Sequence, residues 1–312
     1  MSKKDQEFAS SSVHYKPSFG DRMVSIVTYF VYSIFAFVCV YPFYYIFINS
    51  ISSNQLSERG KVIFLPKEIH FSNYVQVMKL EGLFDAAKIS LLRTGIGTLI
   101  VVFTSAFLGY MFTSKTMWGR KFWYRVIAAT MYFNAGVIPL YITMSNLKLT
   151  NNFWIYVLPT AISPFYMILC KTFIEATPGE LRDAAMIDGA GTLTIFFRIM
   201  LPVIKPILAT VAIFTAVNQW NAFQDTLIYV TDKKLSTLQF VLYQYITQSS
   251  SIKALLNGSS SSANIAASMA KMQTATSVRM TVTIVVVTPI LLVYPFFQKY
   301  FTKGIMIGAV KG

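Results

Sequence analysis

Long apolar runs separated by short polar ones fill most of the chain. The runs Val24 to Asn49, Leu91 to Thr113, Phe122 to Ser145, Asn152 to Ile174, Ile204 to Tyr229 and Val278 to Phe301 each supply the roughly 20 mostly apolar residues that a helix needs to cross a bilayer. The pattern predicts an all-α, polytopic membrane protein with six transmembrane helices over 23–302, a polar N-terminal tail (1–22) and a C-terminal tail (303–312). The first run is too long for a signal-peptide core, and no small-residue cleavage site follows it.

Prolines fall inside several of these runs: Pro42, Pro139, Pro159, Pro164, Pro206, Pro289 and Pro295. Membrane helices tolerate proline where neighbouring helices or water satisfy the freed carbonyls, so the spans are expected to form a packed bundle around a cavity. No internal repeat relates the halves. The loop 230–277 contains a polar, low-complexity stretch around Ser249 to Ala267.

Composition agrees with the pattern. The 312 residues are 54% hydrophobic and only 13% charged, against about 25% charged in a soluble domain. The net charge of +14 does not point to nucleic acid, because no fold-sized segment is free of apolar runs and an excess of Lys and Arg also arises from the loops that orient a membrane protein. Lys115, Arg120 and Lys121, without an acid, place the loop 114–121 in the cytoplasm. Six spans then put both termini there and the loops 50–90 and 230–277 outside. Cys39 and Cys170 lie within apolar runs and His14 and His70 stand alone, so neither a disulfide nor a metal site is expected.

One cytoplasmic stretch differs from its surroundings. Between the fourth and fifth runs, residues 176–202 read ATPGELRDAAMIDGAGTLTIFFRIMLP, with three acids and two arginines among them. Thr177, Pro178 and Glu180 fit a helix N-cap, a first-turn proline and a capping-box acid, and Gly189 fits a left-handed C-cap. A helix of about eleven residues is marginal alone and needs a partner surface. Leu181, Ala184 and Ala185 share a face that another backbone can approach, flanked by Glu180, Arg182, Asp183 and Asp188. A second amphipathic helix follows over Thr192 to Met200, ended by Leu201 and Pro202. The alternative, a helix lying on the headgroups, fits poorly with so many acids beside an anionic leaflet.

The fifth run carries NQWNAFQD: Asn218, Gln219, Trp220, Asn221, Phe223, Gln224 and Asp225. Amides and rings of this kind bind sugars, the polar groups replacing water on hydroxyls and the rings covering apolar faces. On a continuous helix Asn218, Asn221 and Asp225 share one face. The competing reading is polar glue between helices. Tyr132, Asn134 and Tyr141 in the third run are further candidates for a pathway.

Asp183-Ala184-Ala185, Gly189 and Ile199-Met200-Leu201-Pro202 resemble the EAA signature of binding-protein-dependent ABC importer permeases, E-A-A-x3-G-x9-I-x-L-P, with Asp183 in place of Glu. FNAGVIPLYI (133–142), WIYVLPTAISPFYMIL (154–169) and FTKGIMIGAVKG (301–312) are similar to the carbohydrate branch, on the side of the G-type subunit of the maltose importer, and to Gram-positive permeases for oligosaccharides or polysaccharides.

The resemblance implies a type I importer fold in the bacterial cytoplasmic membrane. It implies that 178–189 is a coupling helix seated in a separate ATPase dimer, with Ile199, Leu201 and Pro202 as part of the same device. The tail residues Gly308, Lys311 and Gly312 would reach the ATPase interface, the loop 230–277 would meet an extracellular sugar-binding protein, and a second permease would complete an oligosaccharide pathway. ATP and Mg would be bound by the partner, since no G-x-x-x-x-G-K-[ST] loop occurs in this chain. It is expected to be neither catalytic nor metal-binding. The competing class, an ion-coupled secondary transporter, would place ionisable groups at mid-membrane, where the predicted spans are nearly empty of them except near their ends.

Overall fold

The structure, a computed structural model, describes residues 18–247 and 275–309, and every regular element among them is helical. The first helix, α1 (Phe19–Ser50), is apolar on all sides and buries only Ile48, Asn49 and Ser50 within the chain. Such a helix is built for lipid or another subunit. At its end the buried Asn49 donates to the carbonyl of Val62 at 3.2 Å and accepts from the Ser57 hydroxyl at 2.6 Å, which folds the following loop back over it. That loop holds α2 (Asn54–Glu58) and α3 (Ser72–Met78).

The centre of the molecule is α4 (Leu83–Met111), which begins eight residues before the apolar run does. It packs against α7 (Pro164–Glu175) on one side and α10 (Lys205–Asn221) on the other. Two glycines make these approaches possible. A Cβ on Gly109 would lie 2.9 Å from Cys170 Cβ and 3.0 Å from the Lys171 backbone nitrogen, and one on Gly97 would lie 2.9 Å from Gln219 Nε2. After α12 (238–247), the last helix, α13 (Ala275–Ala309), lies against α1 and α10. Trp220 of α10 donates its indole N–H to the Val286 carbonyl at 3.1 Å, in the turn that Pro289 disturbs.

Three helical stretches are individually long and apolar enough to cross a membrane: α1, α4 and Thr276–Val293 within α13. The other predicted spans are broken. The third divides into α5 (Arg120–Thr130) and α6 (Val137–Asn146). The Gly136 N–H bonds to Asn134 Oδ1 at 2.9 Å and Gly136 has φ +85°, so the sequence Asn134-Ala135-Gly136 itself makes the turn.

The fourth span consists of two 3₁₀ turns, Phe153–Tyr156 and Leu158–Thr160, then α7, with a 47° bend before Pro164. The fifth stops at Asn221 and restarts as α11 (Gln224–Tyr229). Counting the fourth span and the bent pair Thr192–Val203 plus Lys205–Asn221 as one crossing each gives at most five among the described residues. At the C-terminal end no proline follows Pro295, and α13 continues to Ala309 where a tail was expected after Phe301.

Candidate functional site

Two regions gather the chemistry, one at each end of α4. At its C-terminal end lies α8 (Glu180–Ile187). Gly189 has φ +77°, its N–H bonds to the Met186 carbonyl at 3.1 Å, and the Ala190 N–H bonds to the Ala185 carbonyl at 2.9 Å. This pair of bonds is a Schellman cap, as the glycine predicts. The start of the helix differs from expectation. Thr177 donates back to the Phe173 carbonyl at 3.1 Å, closing α7, and Gly179 stands at the N-cap of α8.

The exposed face is also redrawn. Ala185 is buried against α4 and α7, while Leu181, Ala184 and Ile187 stay outside, Ile187 at 86% exposure, with Glu180, Asp183 and Asp188 beside them. Arg182 turns the other way, towards Tyr110 and Arg120.

After α8 the chain forms α9 (Thr192–Val203), whose middle, Ile195–Met200, is a π-helix; the Leu201 N–H reaches back to the Phe196 carbonyl. Pro202 lies inside this helix and not at its end, and α10 leaves it at 79°. Phe196 is fully buried between Phe107 (centroids 5.3 Å) and Tyr110 (5.4 Å) of α4. Tyr110 also donates to the Thr192 carbonyl at 3.2 Å. Ile199 packs on the same cluster. The whole polar insert is therefore fastened to α4 by aromatic contact.

About 25 Å along the helix, seventeen residues at 1.5 Å each, α4 presents Arg93. Its side chain is 2% exposed and all five of its N–H donors are used. Nε and Nη2 donate to Gln219 Oε1 at 3.2 and 3.0 Å; Nη1 donates to the Ala222 carbonyl at 3.2 Å and Asp225 Oδ1 at 3.1 Å; Nη2 also donates to Asp225 Oδ2 at 2.5 Å. The Tyr156 ring covers the guanidinium at 4.5 Å. The Ala222 carbonyl is available because α10 ends there, so Arg93 holds the break between α10 and α11 open.

Beside this knot is a chamber of about 400 Å³. Asn218, Tyr166, Thr160, Ser163, Gln219 and Asp225 are among its lining residues. Asn218 reaches the Tyr166 hydroxyl at 3.4 Å and Gln219 Nε2 donates to Thr160 at 2.9 Å.

The sequence candidates divide. Asn218, Gln219 and Asp225 meet at the chamber, although the break at Ala222 means that no single helical face carries Asn218, Asn221 and Asp225. Asn221 accepts from Gln239 at 3.0 Å outside it, and Gln224 is exposed. Trp220 faces α13. Tyr132 and Asn134 are exposed in the turn between α5 and α6. Gly308 lies within α13, whereas Lys311, Gly312 and the segment Ser249 to Ala267 fall outside the described residues. Arg93 was missed, although its position as the one charge in an otherwise apolar stretch was a readable signal. Charge was expected only near the ends of the spans; Arg93 lies two residues into the predicted run but well inside the helix itself.

Residues 8–307 match the family described as binding-protein-dependent transport system inner membrane component. The chain belongs to this family. The permease is 32% identical over 292 residues to the polygalacturonan/rhamnogalacturonan transport system permease protein YtcP of Bacillus subtilis (strain 168), a match covering 94% of this chain and 99% of that one. It is 34% identical over 280 residues to protein LplC of the same organism, covering 88% and 90%.

Among solved structures, a bacterial ABC transporter involved in the import of the acidic polysaccharide alginate superposes on the permease with a TM-score of 0.79 at 28% identity, over 91% of this chain and 98% of the other. The permease is thus an integral membrane subunit with the ABC importer fold.

Proposed function

We propose that this permease forms half of the translocation pathway of an ATP-driven oligosaccharide importer in the bacterial cytoplasmic membrane, with six crossings and both termini in the cytoplasm. The broken helices α5 and α6 then supply the third crossing together. A separate ATPase dimer binds ATP and Mg and receives α8; an extracellular binding protein delivers the sugar; a second six-span permease completes the pathway. The observation that carries this reading is the outward face of α8, where Leu181, Ala184 and Ile187 are exposed among acids on a helix otherwise fastened to α4. Such a short helix with an unpartnered apolar face is suited to a groove on another protein.

The same arrangement supplies a route for motion. A push on α8 and α9 reaches α4 through Phe196 and Tyr110, and α4 carries Arg93 into the wall of the chamber. The second permease is supported by the amphipathic α5 and the apolar α6, neither of which buries a residue within this chain. Relatives named for sugar transport support the substrate class. Because Arg93 has no donor left, this half of the pathway reads sugar hydroxyls through Asn218, Tyr166 and Ser163 and not carboxylates through the guanidinium. The fully paired Arg93 and Asp225 also weigh against an ion-coupled carrier, which needs a carboxylate free to take the driving ion.

The test is to tag the chain, extract it in mild detergent and identify its companions by mass spectrometry. A phosphate-loop ATPase and a second permease are expected. A chain that stays alone after crosslinking at Ala184 or Ile187 overturns the reading.

A further inference from the structure

Between the ends of α4 and α7 and the start of α8 is a second cavity, of about 330 Å³. Three cations line it: Lys115 from the loop after α4, Arg120 at the start of α5 and Arg182 in α8. Glu175, the one acid in the lining, is held by Lys171 at 2.7 Å through both oxygens. Arg120 Nη1 is pinned by the carbonyls of Thr113 and Ser114 at 3.1 and 3.5 Å. Its Nε and Nη2, and the Lys115 ammonium, make no hydrogen bond among the described residues. Among the described residues the one ion pair of Arg182 is with its neighbour Asp183, at 3.9 Å, and that carboxylate is largely exposed. α5 opens on Arg120 and Lys121 without an acid in its first turn, so the positive end of its dipole adds to the same field.

Uncompensated cations gathered around a pocket select a multivalent oxyanion. The pocket lies at the C-terminal ends of α4 and α7, just beyond the apolar stretch of α4, and between Lys115 and Arg120 the loop presents Trp118 at 84% exposure. Indoles of this kind settle at the level of the headgroups. We propose that this cavity binds the phosphate of an anionic phospholipid, clamped by Lys115, Arg120 and Arg182. Because Arg182 belongs to α8, occupancy braces the coupling helix against the end of α4. The binding claim is independent of the proposed function; the consequence for coupling rests on it.

The experiment uses the full chain with whatever partners purify with it, placed in nanodiscs of phosphatidylcholine alone or with phosphatidylglycerol. Bound phosphatidylglycerol is counted by native mass spectrometry, and ATP turnover is followed where an ATPase is present. The wild type is expected to retain phosphatidylglycerol, and Lys115→Gln and Arg182→Gln each to weaken retention about fivefold. Lys115 is exposed on a loop, so its variant tests charge without disturbing the core.

Equal retention by wild type and both variants overturns the site. Inorganic phosphate that displaces the lipid or restores turnover in phosphatidylcholine overturns the lipid assignment in favour of a soluble anion. Loss of the ATPase from the Lys115 variant at unchanged lipid retention overturns it in favour of an acidic protein contact. Failure of the importer reading appears separately, as an absent ATPase with lipid retention still measurable.

Discussion

Arg93 of α4 and Asp225 of α11 form a two-pronged ion pair, at 3.1 and 2.5 Å, across the point where α10 gives way to α11. The pair joins segments 132 residues apart, and Gln219 and the Ala222 carbonyl complete the coordination. Because the helix ends at Asn221, the Ala222 carbonyl lies outside its hydrogen-bond ladder and accepts from the guanidinium instead.

Removing one partner should be worse than removing both. Arg93→Gln leaves Asp225 without its cation in a partly buried site and should lower stability by about 3 to 5 kcal/mol, since breaking a buried pair strands a charge. The double variant Arg93→Met with Asp225→Leu should recover much of that stability while uptake stays lost. Thermal unfolding of the detergent-purified complex, run as a double-mutant cycle, measures both. Additive losses in the cycle would show that the two side chains do not act as a unit.

The same pair makes a prediction about substrate. With its donors filled, Arg93 offers nothing to a uronate, and Asp225 is the charged atom nearer the chamber, its side chain 23% exposed. Asp225→Asn should raise uptake of uronate oligosaccharides relative to neutral ones, while lowering total transport through the loosened break. The readout is competition between labelled neutral and acidic oligosaccharides in proteoliposomes. An unchanged ratio in the variant removes Asp225 from any role in selectivity.

Gly109 tests the close packing of α4 on α7. Because an added methyl would meet backbone as well as Cys170, the helices themselves have to separate, and Gly109→Ala should cost about 1 to 3 kcal/mol. Gly97→Ala meets only the Gln219 side chain, which can rotate away. It should destabilise less but disturb Arg93, so its larger effect is expected on transport. Comparing melting temperature with uptake for the two variants separates the cases; the reverse order would contradict the contacts.

Much of this was legible from residue order alone. The apolar runs located α1, α4 and α13, and the Gly189 cap was readable because only a left-handed residue closes such a helix. What failed was continuity and facing. A hydropathy run does not register a turn such as that at Gly136, nor the break at Ala222, because both are made by polar contacts within an otherwise apolar stretch. Ala185 was assigned to a partner because spacing gives a face but not the direction in which that face points. Arg93 was hidden by proximity to a span's predicted end, and α4 in fact starts eight residues earlier, placing that arginine nearly three turns inside.

Gly189 separates conformation from bulk. An added Cβ there meets nothing within 4 Å, yet the residue sits at φ +77°. Steric obstruction within the chain is therefore not the issue. Gly189→Asn, which tolerates the left-handed region, should keep the cap and most of the transport. Gly189→Val should lose the cap, at about 1 to 2 kcal/mol, and with it the fixed position of Ile187 and Asp188 on the face proposed to meet the ATPase. Asp183→Lys should fail for a different reason: the helix survives but its outward charge is reversed. Circular dichroism is expected to show all three variants folded, with sugar-stimulated ATP hydrolysis high only in Gly189→Asn. Normal stimulation in both Gly189→Val and Asp183→Lys would sink the assignment of α8 as the coupling helix, because then neither its shape nor its charge is read.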